Sequence, residues 1–368
     1  MTKLQTVLGL MSGTSMDGID VAAIETDGEN AIHALAQFYV PYDTAAHRIL
    51  EAALTAARNV ELSCWHARDQ WPDAVRDADQ FVTEAHGAAV AGFQALHGLN
   101  VELVGFHGHT VLHRPDAGIT VQIGDPQALA QHTGCPVIGQ FRQADVAQGG
   151  QGAPLAPLFH RARATGLARP VAVLNLGGVG NITVLGADGQ ICAFDTGPGN
   201  ALIDDWVRGA TGARYDEDGA LAARGLVDGS VLAQLMTHPF FDLAPPKSLD
   251  RLAFDPAPVA ALSAADGAAT LTAFTAASAA RALEFFEQPP ERLIVCGGGR
   301  HNAALMRALG DRSGVRVENC DALGWAGDAL EAEAFAWLAA RHVRGLPTSV
   351  PETTGVVAPT VGGQLFQP

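Results

Sequence analysis

A hydroxyl-rich glycine turn and two well-placed acids mark where this chain could do chemistry. The turn is Gly9-Leu10-Met11-Ser12-Gly13-Thr14-Ser15-Met16-Asp17-Gly18-Ile19-Asp20, set between the apolar runs Leu4–Leu10 and Val21–Ile24. Gly9, Gly13 and Gly18 let backbone N–H groups approach an anion. Ser12, Thr14 and Ser15 add hydroxyl donors, while Asp17 and Asp20 offer hard oxygens to a divalent cation. A nucleoside triphosphate with Mg2+ suits that set, although an ordinary hairpin loop uses the same residue types. Asp195 lies in Phe194-Asp195-Thr196-Gly197-Pro198-Gly199-Asn200, just after a predicted strand, where α/β proteins keep reactive groups. It is either a general base or a cap for the turn that follows. Glu331 sits on a predicted helix four residues before Phe335-Ala336-Trp337-Leu338. A helical glutamate is otherwise a solvated face.

Two further glycine turns could meet a nucleotide. Gly177-Gly178 through Asn181 joins two predicted strands, and Gly297-Gly298-Gly299 follows the strand Arg292–Cys296. Bare backbone at the latter would admit a flat ring, or would simply turn a strand into a helix. His107, His109 and His113 have a spacing that suggests a metal, but nothing else in the sequence completes a zinc ligand set.

The elements that must position these residues alternate between strand and helix. Helices are predicted over Ala45–Ala57 and Trp65–Leu96, and a strand over Val101–Phe106 that ends in His107-Gly108-His109-Thr110. Asp125 is an N-cap with Pro126 at the first helical position, Gln127–Thr133 the helix and Gly134 its end, before the strand Pro136–Phe141. A second round follows: strand Val171–Leu176, turn Gly177–Asn181, strand Ile182–Leu185, strand Ile191–Phe194. Ala244–Thr270 reads as a connector, and the helix after it presents Leu271, Phe274, Ser278, Ala282 and Phe285 on one face. The strand, glycine turn, strand theme recurs without a close sequence repeat.

At 368 residues and 48% hydrophobic, the chain can fill two cores. A formal charge of −16, from 39 acidic and 23 basic residues, argues against nucleic acid or an anionic membrane as partner. Its only lysines, Lys3 and Lys247, lie outside any Gly-x-x-x-x-Gly-Lys-Ser/Thr context, which excludes a P-loop NTPase. Five scattered cysteines, with no Cys-x-x-Cys, disfavour a disulfide framework and fit a reducing cytoplasm. No basic-then-apolar leader and no run of membrane-span length is visible.

The Gly9–Asp20 segment resembles the signature of the anhydro-N-acetylmuramic acid kinases, members of the superfamily of sugar kinases, Hsp70-type chaperones and actin. Gly105-Phe106-His107-Gly108-His109-Thr110, Val121–Pro126, Phe141-Arg142 through Asp145 to Gly149–Leu155, Leu174–Gly178, Phe194–Asn200, Cys296–Gly299 and Glu331–Leu338 agree in order and spacing. The family more often has glutamine where this chain has His109.

The resemblance implies two RNase H-like, actin-type ATPase domains with an interdomain active-site cleft. We place them at 1–140 plus about 342–368, and at 141–341. It implies a homodimer and a reaction in which ATP, with Mg2+ at Asp17, phosphorylates O6 of anhydro-N-acetylmuramic acid as water opens the 1,6-anhydro ring. Such an activity belongs to peptidoglycan recycling in the cytoplasm. Asp195 would be the catalytic base and Glu331 would help orient the water. Gly177, Gly178, Asn181 and Gly297–Gly299 would join the first turn around the nucleotide. His107, Arg142, Asp145 and Gln151 would meet the sugar, with Arg142 forking onto the lactyl carboxylate or making an internal ion pair. A conventional sugar or acyl kinase of the same fold, needing no water, and a chaperone-like ATPase are the alternatives.

Overall fold

Alternating apolar runs and glycine turns fold the chain into two units, each built on its own sheet. The computed structural model describes residues 3–13, 15–249 and 253–368, with His66 by its backbone alone. Thr14 of the first glycine turn therefore lies outside the described residues. Unit 1 comprises Met1–Thr165 and Ala329–Pro368, and unit 2 Gly166–Asp328.

The strands of unit 1 before the crossover are β1 (Gln5–Ser12), β2 (Gly18–Thr26), β3 (Ile32–Pro41), β4 (Leu103–Arg114), β5 (Ile119–Ile123) and β6 (Val137–Gly139). Unit 2 holds β7 (Val171–Leu176), β8 (Val179–Leu185), β9 (Ile191–Pro198), β10 (Arg292–Cys296) and β11 (Arg316–Asn319), and the chain returns to unit 1 for β12 (Gln364–Phe366). The second sheet runs β11-β10-β7-β8-β9, an antiparallel meander β7-β8-β9 with β10 and β11 added in parallel beside β7. The first runs β12-β6-β4-β1-β2-β3, with β5 a hairpin partner of β4. Leaving out β5 and the terminal β12, both units read third, second, first, fourth, fifth in order of entry. That is the RNase H-like wiring, present twice, as in actin-type ATPases.

Apolar runs explain where the cores lie. β1 and β4 are buried along most of their length, and the helix Asp73–His97 sets Val75, Ala78, Val82, Val90 and Phe93 against them. Burial of a side chain such as Phe93 contributes roughly 1.5–3 kcal/mol. In unit 2, Leu174, Leu176, Ile182, Phe194 and Val295 form one core with the helix Ala264–Leu283. A second, aromatic cluster gathers Phe240, Phe241, Phe254 and Phe274.

The helix Leu330–Val343 packs on β1, β2 and β4. Gly9 and Gly105, register partners on β1 and β4, make this approach possible. A Cβ on Gly9 would overlap the Ala332 carbonyl, and one on Gly105 the Phe335 carbonyl. Our sequence boundaries assigned 141–165 and 329–341 to the second domain, whereas backbone contacts group both with unit 1. The helix packing accounts for 329–341. Asp145 helps to account for the other segment, because its carboxylate accepts from Thr354 Oγ1 at 2.6 Å.

Several element readings shift. The helix expected over Trp65–Leu96 is two short 3-10 turns, Leu62–His66 and Arg68–Gln70, followed by a helix that starts at Asp73, because Pro72 fixes the entry. β4 runs on through His107-Gly108-His109-Thr110 to Arg114 and does not end there. β9 extends to Pro198, so Asp195 is inside a strand. Within the expected connector, Ser263 accepts from Asp266 N–H and starts the helix at Ala264, which ends at Leu283, before Phe285. The Asp125-Pro126 helix start is as read: the Asp125 carboxylate accepts from Gln127 and Ala128 N–H.

Candidate functional site

In unit 1 the first glycine turn is shorter than its motif. Gly9 lies inside β1, where its missing side chain serves the Leu330–Val343 helix, and Gly18 and Asp20 lie in β2. The turn proper is Gly13 to Asp17, closed by Met16 N–H donating to Gly13 O at 3.0 Å. Ser15 and Asp17 are exposed there, and Ser15 Oγ donates to Asp17 Oδ1 at 2.7 Å. Tyr39 OH donates to the Asp17 carbonyl at 2.7 Å, tying the turn to β3.

Ser12 is used differently. It is fully buried, with its hydroxyl 3.0 Å from both Tyr42 OH and His109 Nδ1. Burial pushes the Tyr42 hydroxyl up to about 12, so it stays protonated. Ser12 thus anchors the end of β1, and this chain's histidine at 109 supplies one of the anchors. Neither Tyr42 nor that use of His109 was legible as a motif.

His107 precedes His109 by two residues on β4, with a register irregularity against β1 between them, and it too is buried. Arg142 Nε and Nη2 lie 3.2 and 3.0 Å from His107 Nε2, and Arg142 Nη1 donates to the Gly152 carbonyl at 2.7 Å. A guanidinium only donates, so His107 Nε2 is the bare acceptor and Nδ1–H donates to the Gly108 carbonyl at 2.8 Å. Burial first, then the Arg142 charge, hold the His107 pKa well below its ordinary value. The imidazole is neutral.

Asp145 is fully buried. Its Oδ1 accepts from Gly152 N–H at 2.6 Å and its Oδ2 from Thr354 Oγ1, so both oxygens serve the loop that carries Gln151. Gln151 N–H in turn donates to the Thr354 carbonyl at 2.7 Å. The four residues read as sugar contacts therefore cluster, tied through Gly152. A pocket of about 440 Å³ opens beside them, lined by Gln140, Gln143, Val146, Ala147, Trp65 and Trp71 among others. None of the four lines it.

Glu331 is half-buried in the first turn of its helix. Glu333, which the sequence reading passed over, is buried with Arg163 at 3.6 Å, and burial raises its pKa. Among the described residues no cluster of three or more His, Cys, Asp or Glu could hold a metal.

In unit 2 three motifs that are far apart in sequence meet at the end of β7. The turn is only Gly177-Gly178, since β8 begins at Val179 and Asn181 pairs with Asn175 and Asp195 inside the sheet. Asn200 N–H donates to the Gly177 carbonyl at 2.7 Å and Asn200 Nδ2 to the Leu176 carbonyl at 2.8 Å. A Cβ on Gly199 would overlap the Gly177 carbonyl, and one on Gly297 (φ +74°) the Asn175 side chain and, at 2.8 Å, the Leu176 carbonyl. A Cβ on Gly299 would stand 2.6 Å from that of Leu176, while Gly298 is exposed. The result is a surface of bare backbone. Arg300 holds it from behind, donating to the Gly297 carbonyl at 3.1 Å and as a fork to Asp328 at 2.6 and 2.7 Å. Hydrogen bonding to Arg300 holds the Asp328 carboxyl below its usual range.

Asp195 projects from β9 in the same unit, half-buried. Its amide N–H donates to the Lys247 carbonyl at 3.0 Å, and its Oδ2 accepts from Leu249 N–H at 2.8 Å. A carboxylate gripped in this way has a set orientation.

The sequence profile described as anhydro-N-acetylmuramic acid kinase matches residues 5–368. A protein of that name from Rhodospirillum rubrum is 51% identical over 360 residues, covering 98% of this chain and 93% of its own. Another, from Rhizorhabdus wittichii, is 50% identical over 372 residues, covering all of both. Among solved structures, a ROK family glucokinase from Streptomyces griseus aligns over 91% of this chain and 99% of its own, at 14% identity and a TM-score of 0.41. That likeness is too loose to argue from, and the fold assignment rests on the strand order. With matches of this extent and identity, the chain belongs to the anhydro-N-acetylmuramic acid kinase family.

Proposed function

We propose that this chain opens the 1,6-anhydro ring of anhydro-N-acetylmuramic acid with water and phosphorylates O6 from ATP, giving N-acetylmuramic acid 6-phosphate and ADP. In the anhydro sugar O6 is tied to C1 and has no proton to lose, so a base that merely activates a hydroxyl would have nothing to act on. Asp195 instead takes a proton from water as the water oxygen bonds to C1. The C1–O6 bond breaks, and O6 accepts the γ-phosphoryl group. Glu331 helps to orient the water.

The observation that carries this reading is the grip on Asp195. With its amide N–H donating to the Lys247 carbonyl and Oδ2 accepting from Leu249 N–H, the carboxylate has the set orientation that a general base needs. The bare backbone at Gly177-Gly178 and Gly297–Gly299, with Asn181, suits a nucleotide, and the turn that carries Gly13, Ser15 and Asp17 suits phosphate groups. Ser12 and Gly9 support that turn from within. Asp17, exposed and steadied by Ser15, suits Mg2+, which would neutralise charge on the phosphates. His107, Arg142, Asp145 and Gln151 shape the sugar side. The test is Asp195→Asn, assayed for turnover and, by calorimetry, for binding of each substrate. Binding without turnover supports the reading, and near-normal turnover refutes it.

The same reading carries a cytoplasmic homodimer that acts in peptidoglycan recycling. All five cysteines are free, and no described helix is long and apolar enough to cross a membrane. Light scattering of the purified protein tests the dimer.

A further inference from the structure

Lys247 is one of only two lysines, and it is buried. Its ammonium donates to the Phe240 carbonyl at 3.0 Å and reaches that of Phe241 at 3.5 Å. It lies 4.6 Å from the ring centroids of Phe240 and Phe285 and 5.7 Å from that of Phe194. Among the described residues no carboxylate stands within ion-pair distance of it. Burial holds its pKa below the ordinary value, and the Arg281 charge adds to this. Removing an ammonium from water is costly unless carbonyls and aromatic faces replace the solvent, and here they do.

The reason for placing a cation there lies in its own backbone. The Lys247 carbonyl accepts from Asp195 N–H, and two residues on, Leu249 N–H donates to Asp195 Oδ2. Residues 244–249 belong to no helix or strand, so this segment is held by individual contacts, the Lys247 ammonium's among them. One wall of the aromatic cage is Phe194, the neighbour of Asp195.

We infer that Lys247 is a positioning residue for ring opening: its caged ammonium anchors the segment whose backbone sets the orientation of the Asp195 carboxylate. The inference rests on the proposed role of Asp195 as base. A cation is required because an apolar side chain could fill the cage but could not bind the Phe240 and Phe241 carbonyls. Arginine, which can donate to the same carbonyls and stack on the same rings, should serve in part.

A double-mutant cycle tests it. Lys247→Met should lower kcat by about 10- to 100-fold, the size of effect that misplacing a reacting group produces. KM for both substrates and binding of a non-hydrolysable ATP analogue should stay close to wild type. In the Asp195→Asn background the same change should leave the residual rate nearly unaltered, because the group it positions is already disabled. Lys247→Arg should recover part of the lost rate. If Lys247→Met fails to fold, Phe285→Leu, at a cage residue beyond its helix end, should give a smaller loss with the same non-additivity. Wild-type kcat in both variants, or equal losses in the presence and absence of Asp195, would overturn the inference while leaving the base assignment intact. Near-normal turnover by Asp195→Asn alone would instead overturn the base assignment, and this inference with it.

Discussion

The two units share one strand order but finish their first strand in opposite ways. In unit 1, β1 ends in a turn whose exposed atoms are side chains, Ser15 and Asp17, braced below by the buried trio Ser12, Tyr42 and His109. In unit 2, β7 ends in the half-buried Gly177-Gly178, which offers main chain alone and is braced by Asn200. The same wiring thus presents charge-bearing groups in one unit and bare backbone in the other. A further contrast lies on the third strand, an edge of its sheet in both units: β9 carries Asp195, while β3 has Leu35 and Tyr39 exposed.

The largest effect that could break this contrast is at Asp195. Asp195→Asn should reduce turnover by roughly 10²- to 10⁴-fold, the usual worth of a general base, with both substrates still bound. A matching loss from Tyr39→Phe on β3 would mean that the third strands are not functionally distinct.

Acid should strike the units unequally. His86, His109 and His160 of unit 1 are buried, and burial lowers each from the ordinary 6.5 to about 4, whereas none of the described histidines of unit 2 is buried. These histidines stay neutral when folded and take up protons when unfolded. Their contribution is therefore present above pH 6.5 and lost as pH falls from 6.5 toward 4, by at most about 1.4 kcal/mol per histidine per pH unit. Hydrogen exchange at pH 7 and 4.5 should show unit 1 losing protection first. Equal loss in both units would contradict this.

A pair of identical substitutions sharpens the contrast between the turns. Gly199→Ala forces a Cβ onto the Gly177 carbonyl and should destabilise by about 1–3 kcal/mol. Gly13→Ala meets nothing closer than Ser15 Oγ at 3.6 Å and should stay within about 0.5 kcal/mol of wild type. Denaturant unfolding reads both, and similar losses would show that the two turns are equally tight.

A modest effect is expected at Ser12. Ser12→Ala leaves Tyr42 OH and His109 Nδ1 without their shared partner and should cost about 1 kcal/mol of stability. Nucleotide affinity should fall less than in Asp17→Ala. The reverse ranking would mean that Ser12 leaves its buried partners to touch phosphate.

Local rules made much of this fold readable. β7 and β10 are largely apolar runs of strand length, each followed at once by a glycine, and Asp125-Pro126 with Gly134 writes a helix from cap to cap. What escaped was non-local. Nothing near Gly9 says that a helix more than 300 residues later will lie on it, so a packing glycine reads as a phosphate glycine. Asp145 gives its carboxylate to Thr354, 209 residues away, and its sequence neighbours cannot show that. Lys247 sits in a segment without periodicity, so only the aromatic cage reveals its use. The motif around Asp195 was visible, but the grip that orients its carboxylate was not.

The central claim is that water activated by Asp195 attacks C1. Turnover in oxygen-18 water, with the product trapped at once by reduction to prevent anomeric exchange, tests it directly. Label on the C1 oxygen, with unlabelled oxygen bridging C6 and phosphorus, is the predicted result. Label in the phosphoryl group, with none at C1, would contradict it.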